Sequence, residues 1–232
     1  MIPLRDIVPS RTFPFVTITI IVLNSLAWIF ELSLPDDVLP AFLRTYGVVP
    51  AALGGPPIVT AVVPYNSGWP TVVTSMFLHG SWMHVIGNML YLWIFGDNVE
   101  DRLGHVRFVV FYLLCGTVAA LGQVYANPYS QLPTIGASGA IAGVMGAYFI
   151  LYPRSRVLAL VTLIIFWEIV EVPAVLFLGV WFLMQLFSAG SIAVTSSTGG
   201  GGVAFWAHIA GFLAGVGGVF VFRKPERTWN HY

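Results

Sequence analysis

Four polar residues in apolar surroundings carry the chemistry this sequence offers: Ser138, His208, His84 and Asn88. Ser138 stands in Gly136-Ala-Ser138-Gly139 at the start of one hydrophobic run, and His208 in Ala207-His208-Ile-Ala-Gly211 near the start of another. A serine and a histidine suffice for nucleophilic acyl transfer. The imidazole accepts the hydroxyl proton as the oxygen attacks a carbonyl, then returns it to the leaving amine. The tetrahedral intermediate carries an oxyanion that needs preorganised donors. His84 and Asn88 are four residues apart and so share a helix face. Their side chains supply two donors and the Ser138 backbone amide a third, while a helix start adds unpaired N–H groups and a favourable dipole. The expectation is Ser138 as nucleophile, His208 as general base, and His84, Asn88 and the Ser138 amide as oxyanion hole.

Other chemistries lack their residues. The hydrolase elbow Gly-x-Ser-x-Gly fails at Ala140, and no carboxylate lies beside His208 in sequence, so a dyad is expected and not a triad. No His-Glu-x-x-His motif or cysteine cluster occurs, so neither a metal nor another cofactor is expected. Cys115 reads as a packed, inert thiol and His79 as a structural or interfacial residue. A single serine in a membrane helix is most often a packing residue, whereas an intramembrane histidine is more often functional. The case therefore rests on the four residues together.

The elements that position them are membrane spans. Of the 232 residues, 57% are hydrophobic and 9% charged, too little polar surface for a soluble domain. Net charge is zero, with no basic run beyond Arg223-Lys224, so nucleic acid is not expected as a partner. Windows of about 20 apolar residues give six spans, near 13–32, 82–98, 106–126, 137–152, 173–188 and 203–222. The first is read as a retained helix, because no small-x-small cleavage site follows it before Glu31, Asp36 and Asp37. The Pro- and Gly-rich loop 33–80 is expected to lie partly in the interface, and 156–172 to be a re-entrant or interfacial segment. Loop 188–203, rich in Ser, Thr and Gly, suits a mobile cap. The fold expected is an all-α membrane protein, one six-helix bundle over residues 1–232.

Charge asymmetry gives the orientation. With six spans, every basic residue except Arg44 falls on one side, which the positive-inside rule makes cytoplasmic, with both termini. Spans two, four and six then begin at the outer face, so His84, Asn88, Ser138 and His208 can meet at one depth. Gly139, Gly143 and Gly146, with Gly211 and Gly215, let the fourth and sixth spans approach closely enough to join Ser138 to His208. The compact form suits a prokaryotic inner membrane.

These residues resemble the rhomboid family of intramembrane serine proteases over Thr74 to Phe222. The signatures occur in order: His79, His84 and Asn88; Glu100 and Gly104; Gly136, Ser138 and Gly139; then Ala207, His208, Gly211 and Gly215. The resemblance implies the same roles for Ser138, His208, His84 and Asn88. It also implies transmembrane protein substrates cut near the outer face, often after a small residue, and a fifth span that moves aside to admit them. Glu100 is read as a structural cap. Two positions depart from the pattern of some rhomboids. Trp69-Pro70 stands where they have Trp-Arg, and Ala142 where they have a tyrosine that packs on the histidine. Support for His208 must then come from elsewhere. The alternative to a protease is an inactive rhomboid-fold protein that binds transmembrane helices; a transporter would need inverted repeats or polar residues on both sides of the midplane, which are not found.

Overall fold

The computed structural model describes residues 1–54, 68–163, 166–195 and 204–225. Among the described residues, helices overlap the expected windows: α1 (Phe15–Ser33), α5 (Trp82–Leu103), α6 (His105–Ala126), α7 (Ser138–Leu151), α8 (Ala174–Thr195) and α9 (Phe205–Phe222). Short helices α2 (Leu39–Tyr46), α3 (Pro50–Leu53) and α4 (Pro70–Thr74) occupy the first long loop. By length and composition, α1, α6 and α9 are long and apolar enough to cross a membrane. The shorter helix α7 and the segment Ala174–Gly190 of α8 are also apolar.

Two expectations are corrected. The chain is mostly helical but not all-α: the described part of 156–172 forms two antiparallel strands, β2 (Arg156–Leu163) and β3 (Phe166–Pro173). An N-terminal strand β1 (Ile2–Asp6) joins it, giving an antiparallel sheet in the order β1-β2-β3. The segment is rich in β-branched residues, and alternate residues Val157 and Ala159 point into the protein and are fully buried. Glu168 and Glu171 stay exposed, Glu171 within 3.3 Å of Arg156, so no buried charge arises. The second correction concerns the cap: α8 continues to Thr195, so part of 188–203 is helical, while residues 196–203 lie outside the described residues.

In the loop 33–80, residues 55–67 lie outside the described residues. The rest packs on the body, with Val48, Val49 and Ala51 buried and Val48 bridged to Thr134. Pro70 opens α4, where its missing N–H has no helical partner to lose. Thr74 Oγ1 donates to the Tyr46 carbonyl at 2.6 Å, which ties α4 to α2.

Helix α7 is the centre of the packing, buried along nearly its whole length. A Cβ at Gly139 would collide with Ala119 of α6, and one at Gly143 with Cys115. On the other side, a Cβ at Gly211 of α9 would run into the Gly139 carbonyl, and one at Gly215 into the Gly143 carbonyl. Glycine on both helices thus allows backbone-to-backbone contact over two successive turns.

The end of the bundle away from Ser138 is tied by polar contacts. Glu100 of α5, wholly buried, accepts from Val16 N at 2.9 Å and from Thr17 N and Oγ1 at 2.7 Å each. It thereby satisfies free amides in the first turn of α1 and complements the helix dipole, the capping role expected of it. His105 Nδ1 lies 2.6 Å from the same carboxylate. Gly104, at φ +84°, turns the chain from α5 into α6 in a conformation that side chains disfavour. Asp6 accepts from Tyr148 Oη at 2.7 Å and Asn98 Nδ2 at 3.0 Å, fixing β1 to α7 and α5.

Replacing Gly215 by Val should lower stability by about 1–3 kcal/mol, the range for overpacking a tight contact. The thermal midpoint in detergent measures it, and an unchanged midpoint would show that α7 and α9 do not need this contact.

Candidate functional site

Three helix starts converge at the other end. Ser81 caps α5, its Oγ accepting from His84 N at 3.2 Å, and α5 thus begins just before His84. Helix α7 begins at Ser138 itself, after Gly136 at φ +118°. Gly136 N donates to the Ser75 carbonyl at 2.8 Å, and a Cβ at Gly136 would sit 2.6 Å from His84 Nε2. Only glycine permits both that conformation and that closeness. His208 lies in the first turn of α9.

Ser138 Oγ and His208 Nε2 are 2.7 Å apart, bridging α7 and α9. The other ring nitrogen, Nδ1, lies 2.8 Å from Gln185 Oε1 on α8. Since the amide oxygen can only accept, Nδ1 carries the proton, Nε2 is bare, and Ser138 donates to it. The Trp181 ring lies 5.8 Å from the imidazole at 35°, and Phe205 meets it edge-on at 6.5 Å. A hydroxyl donating to an unprotonated imidazole is the arrangement that general-base activation of a serine requires.

His84 and Asn88 face the same space. Gly80 N donates to His84 Nδ1 at 3.4 Å, which leaves the His84 proton on Nε2, the nitrogen directed toward Gly136. Asn88 Nδ2 lies 3.0 Å from His79 Nε2 and spends one of its two hydrogens there, keeping the other. His79 is held in turn by its backbone N–H, 3.2 Å from both oxygens of the buried Glu31 carboxylate. A cavity of about 1080 Å³ is lined by Ser138, His208, His84, Asn88, Trp181 and Met145, among others.

The four residues expected to act together therefore line one cavity. Sequence reasoning missed Gln185, although a glutamine alone in the apolar run Trp181 to Phe187 is a polar group that must find a partner. It also left His79 without a partner. His79 precedes the Ser81 cap, so helical spacing could not relate it to Asn88. Glu31, near the end of α1, was given no partner either and is buried.

Fold and geometry define a helical membrane protein with a serine–histidine pair in a cavity near one end of the bundle. The family described as "Rhomboid domain" matches residues 66–225, and the chain belongs to the rhomboid family. Rhomboid-like protein 11, chloroplastic, of Arabidopsis thaliana is 30% identical over 209 residues, 87% of this chain and 66% of the relative. Rhomboid protein 1, mitochondrial, of Saccharomyces cerevisiae is 32% identical over 95 residues, 39% of this chain and 28% of the relative. Rhomboid protease GluP of Bacillus subtilis is 38% identical over 79 residues, 34% of this chain and 15% of the relative. The chain thus spans less than two thirds of the length of each of these curated relatives.

Burial, and secondarily the neighbouring His84, push His79 down from 6.5 to about 4. It is neutral at pH 7 and free to accept from Asn88. Between pH 6.5 and about 4 the unfolded chain binds a proton at His79 that the folded chain does not, so stability falls as pH falls through this window. His79→Gln should flatten that fall in thermal unfolding followed across the window. An equally steep loss in the variant would show that His79 is not its source.

Proposed function

We propose that the chain is an intramembrane serine endopeptidase that hydrolyses peptide bonds of transmembrane proteins near the outer membrane face. The observation that carries this reading is the 2.7 Å contact between Ser138 Oγ and an imidazole nitrogen whose partner leaves it bare. In this mechanism Ser138 Oγ attacks the scissile carbonyl carbon and gives its proton to His208 Nε2. The oxyanion is met by the Ser138 amide, His84 Nε2–H and the second Nδ2 hydrogen of Asn88. Collapse breaks the C–N bond, and the leaving amine takes the proton from His208. The acyl-enzyme is then hydrolysed by a water that His208 deprotonates in the same way. The cavity supports a water-accessible reaction at this end of the bundle.

The whole chain is read as one six-span domain. The cytoplasmic assignment of both termini rests on the basic residues and on contacts that gather their segments. Arg5 pairs with Leu158 in the sheet, and Lys224 N donates to the Arg102 carbonyl at 3.2 Å. The relatives' names span bacteria, mitochondria and chloroplasts, so the family leaves the membrane open. The compact six-span form is the support for a prokaryotic inner membrane. The substrate is a transmembrane helix that unwinds near a small residue, presented by the surrounding lipid. A rhomboid-fold protein that binds helices without cutting them has no need of a serine hydrogen-bonded to a bare imidazole nitrogen.

Reconstitution of the purified protein in liposomes with a single-span substrate tests the reading. Ser138→Ala and His208→Ala should abolish turnover, and Asn88→Ala should lower it by up to about 10²-fold, the effect of losing one oxyanion donor. Cleavage by Ser138→Ala at the wild-type rate would rule the mechanism out.

A further inference from the structure

We infer that Gln185 is a positioning residue for His208: its side-chain oxygen, reaching from α8, selects the imidazole tautomer that can take the Ser138 proton. This inference rests on the serine-protease reading of the same site and deepens it. A neutral imidazole has one protonated and one bare nitrogen, and only a bare Nε2 can receive a proton from Ser138. The proton must then sit on Nδ1, where an acceptor has to hold it. Gln185 Oε1 is 2.8 Å from Nδ1. The other end of the amide is committed, since Gln185 Nε2 donates to the Trp181 carbonyl one turn back at 3.4 Å. With its NH₂ group turned to that carbonyl, the amide presents oxygen and not nitrogen to His208. Trp181 and Phe205 flank the ring and limit its rotation.

The acceptor is neutral, which fits its surroundings. Gln185 and His208 are both buried, and an aspartate at this place would have to be stripped of water in apolar surroundings before it could orient the ring. An amide fixes the tautomer without that penalty. It also answers the question raised by Ala142: on α7 that position offers only a buried methyl group, and the polar support for His208 comes from α8 instead. Because the bond crosses from α8 to α9, displacing α8 outward frees the Nδ1 proton and lets the ring change tautomer. The competence of the base therefore depends on where α8 lies.

The test uses the full chain, labelled with ¹⁵N-histidine in detergent micelles, with His208 assigned by comparison with His208→Gln. Side-chain ¹⁵N shifts report the tautomer directly, and reaction of Ser138 with a fluorophosphonate reports base strength. In the wild type, Nδ1 should be protonated and Nε2 bare. Gln185→Met, close in size but without an acceptor, should show both tautomers and label about tenfold more slowly, the effect of losing one neutral hydrogen bond. Gln185→Glu keeps an acceptor oxygen in either protonation state and should restore the Nδ1–H tautomer and most of the rate. An Nε2–H tautomer in the wild type overturns the inference, even if no variant folds. So does a Gln185→Met protein with unchanged spectrum and rate, or a Gln185→Glu protein as impaired as Gln185→Met. A wild type that fails to react with the fluorophosphonate would sink the protease reading instead, while its ¹⁵N spectrum would still decide the role of Gln185.

Discussion

Two helix backbones, α7 and α9, touch at Gly139–Gly211 and again one turn on at Gly143–Gly215, with no side chain between them. In lipid, no hydrophobic force draws one apolar helix to another, so helices associate through packing and interhelical hydrogen bonds. A contact of this kind supplies the packing. It also sets the separation at the N-terminal ends, where Ser138 and His208 then stand within hydrogen-bond reach without bending either helix. Beside this contact, Ala119 and Cys115 of α6 fill the space that Gly139 and Gly143 leave. The Cys115 thiol is thus a filler, as its apolar neighbours in sequence suggested.

Polar groups divide between the two ends of this framework, and the division has a physical origin. A polar side chain inside a bilayer must be satisfied by the protein itself. At one end Glu100, Asp101 and Asp6 accept from the first turn of α1, from Thr12 just before it, and from side chains of α5 and α7. At the other, the pairs Asn88–His79, His208–Gln185 and Ser138–His208 satisfy one another while leaving donors over. The first set is closed and holds elements together. The second is partly open toward a cavity, which is what the proposed oxyanion role would require.

Much of this was legible in the sequence, because the signals were local. Hydropathy marked the windows in which the longer described helices lie, and glycine spacing marked the α7–α9 contact. The sheet was not legible as such. Length and charge argued correctly against a span at 156–172, but its partner β1 lies more than a hundred residues earlier, and pairing across that distance leaves no periodic trace. The extension of α8 to Thr195 was hidden by a Ser- and Gly-containing stretch that reads as a loop and yet continues the helix. Ser138, His208, His84 and Asn88, which line one cavity, could be singled out because each stands in a short motif near a helix start. Gln185 carries no motif, and its meaning lies wholly in the distance to a residue on another helix.

That distance bears on how such a site can be both ordered and reachable. A buried carboxylate and a sheet fix α1, α5 and α7 to one another at the end away from the cavity, and Glu31 of α1 holds His79 at the cavity end. Helix α8 instead enters the bundle from a hairpin edge, and Leu176, Leu183, Met184 and Phe187 lie exposed along it. Beside Gln185 and Trp181 at the site, it stacks Phe182 on Phe212 of α9 and buries Phe177 and Leu178 against the bundle. This wall of the site is the one that carries the orienting group proposed for His208. On the proposed reading, a substrate helix that displaced α8 would disturb His208 as it entered, and the proton-accepting tautomer would return when α8 closed again.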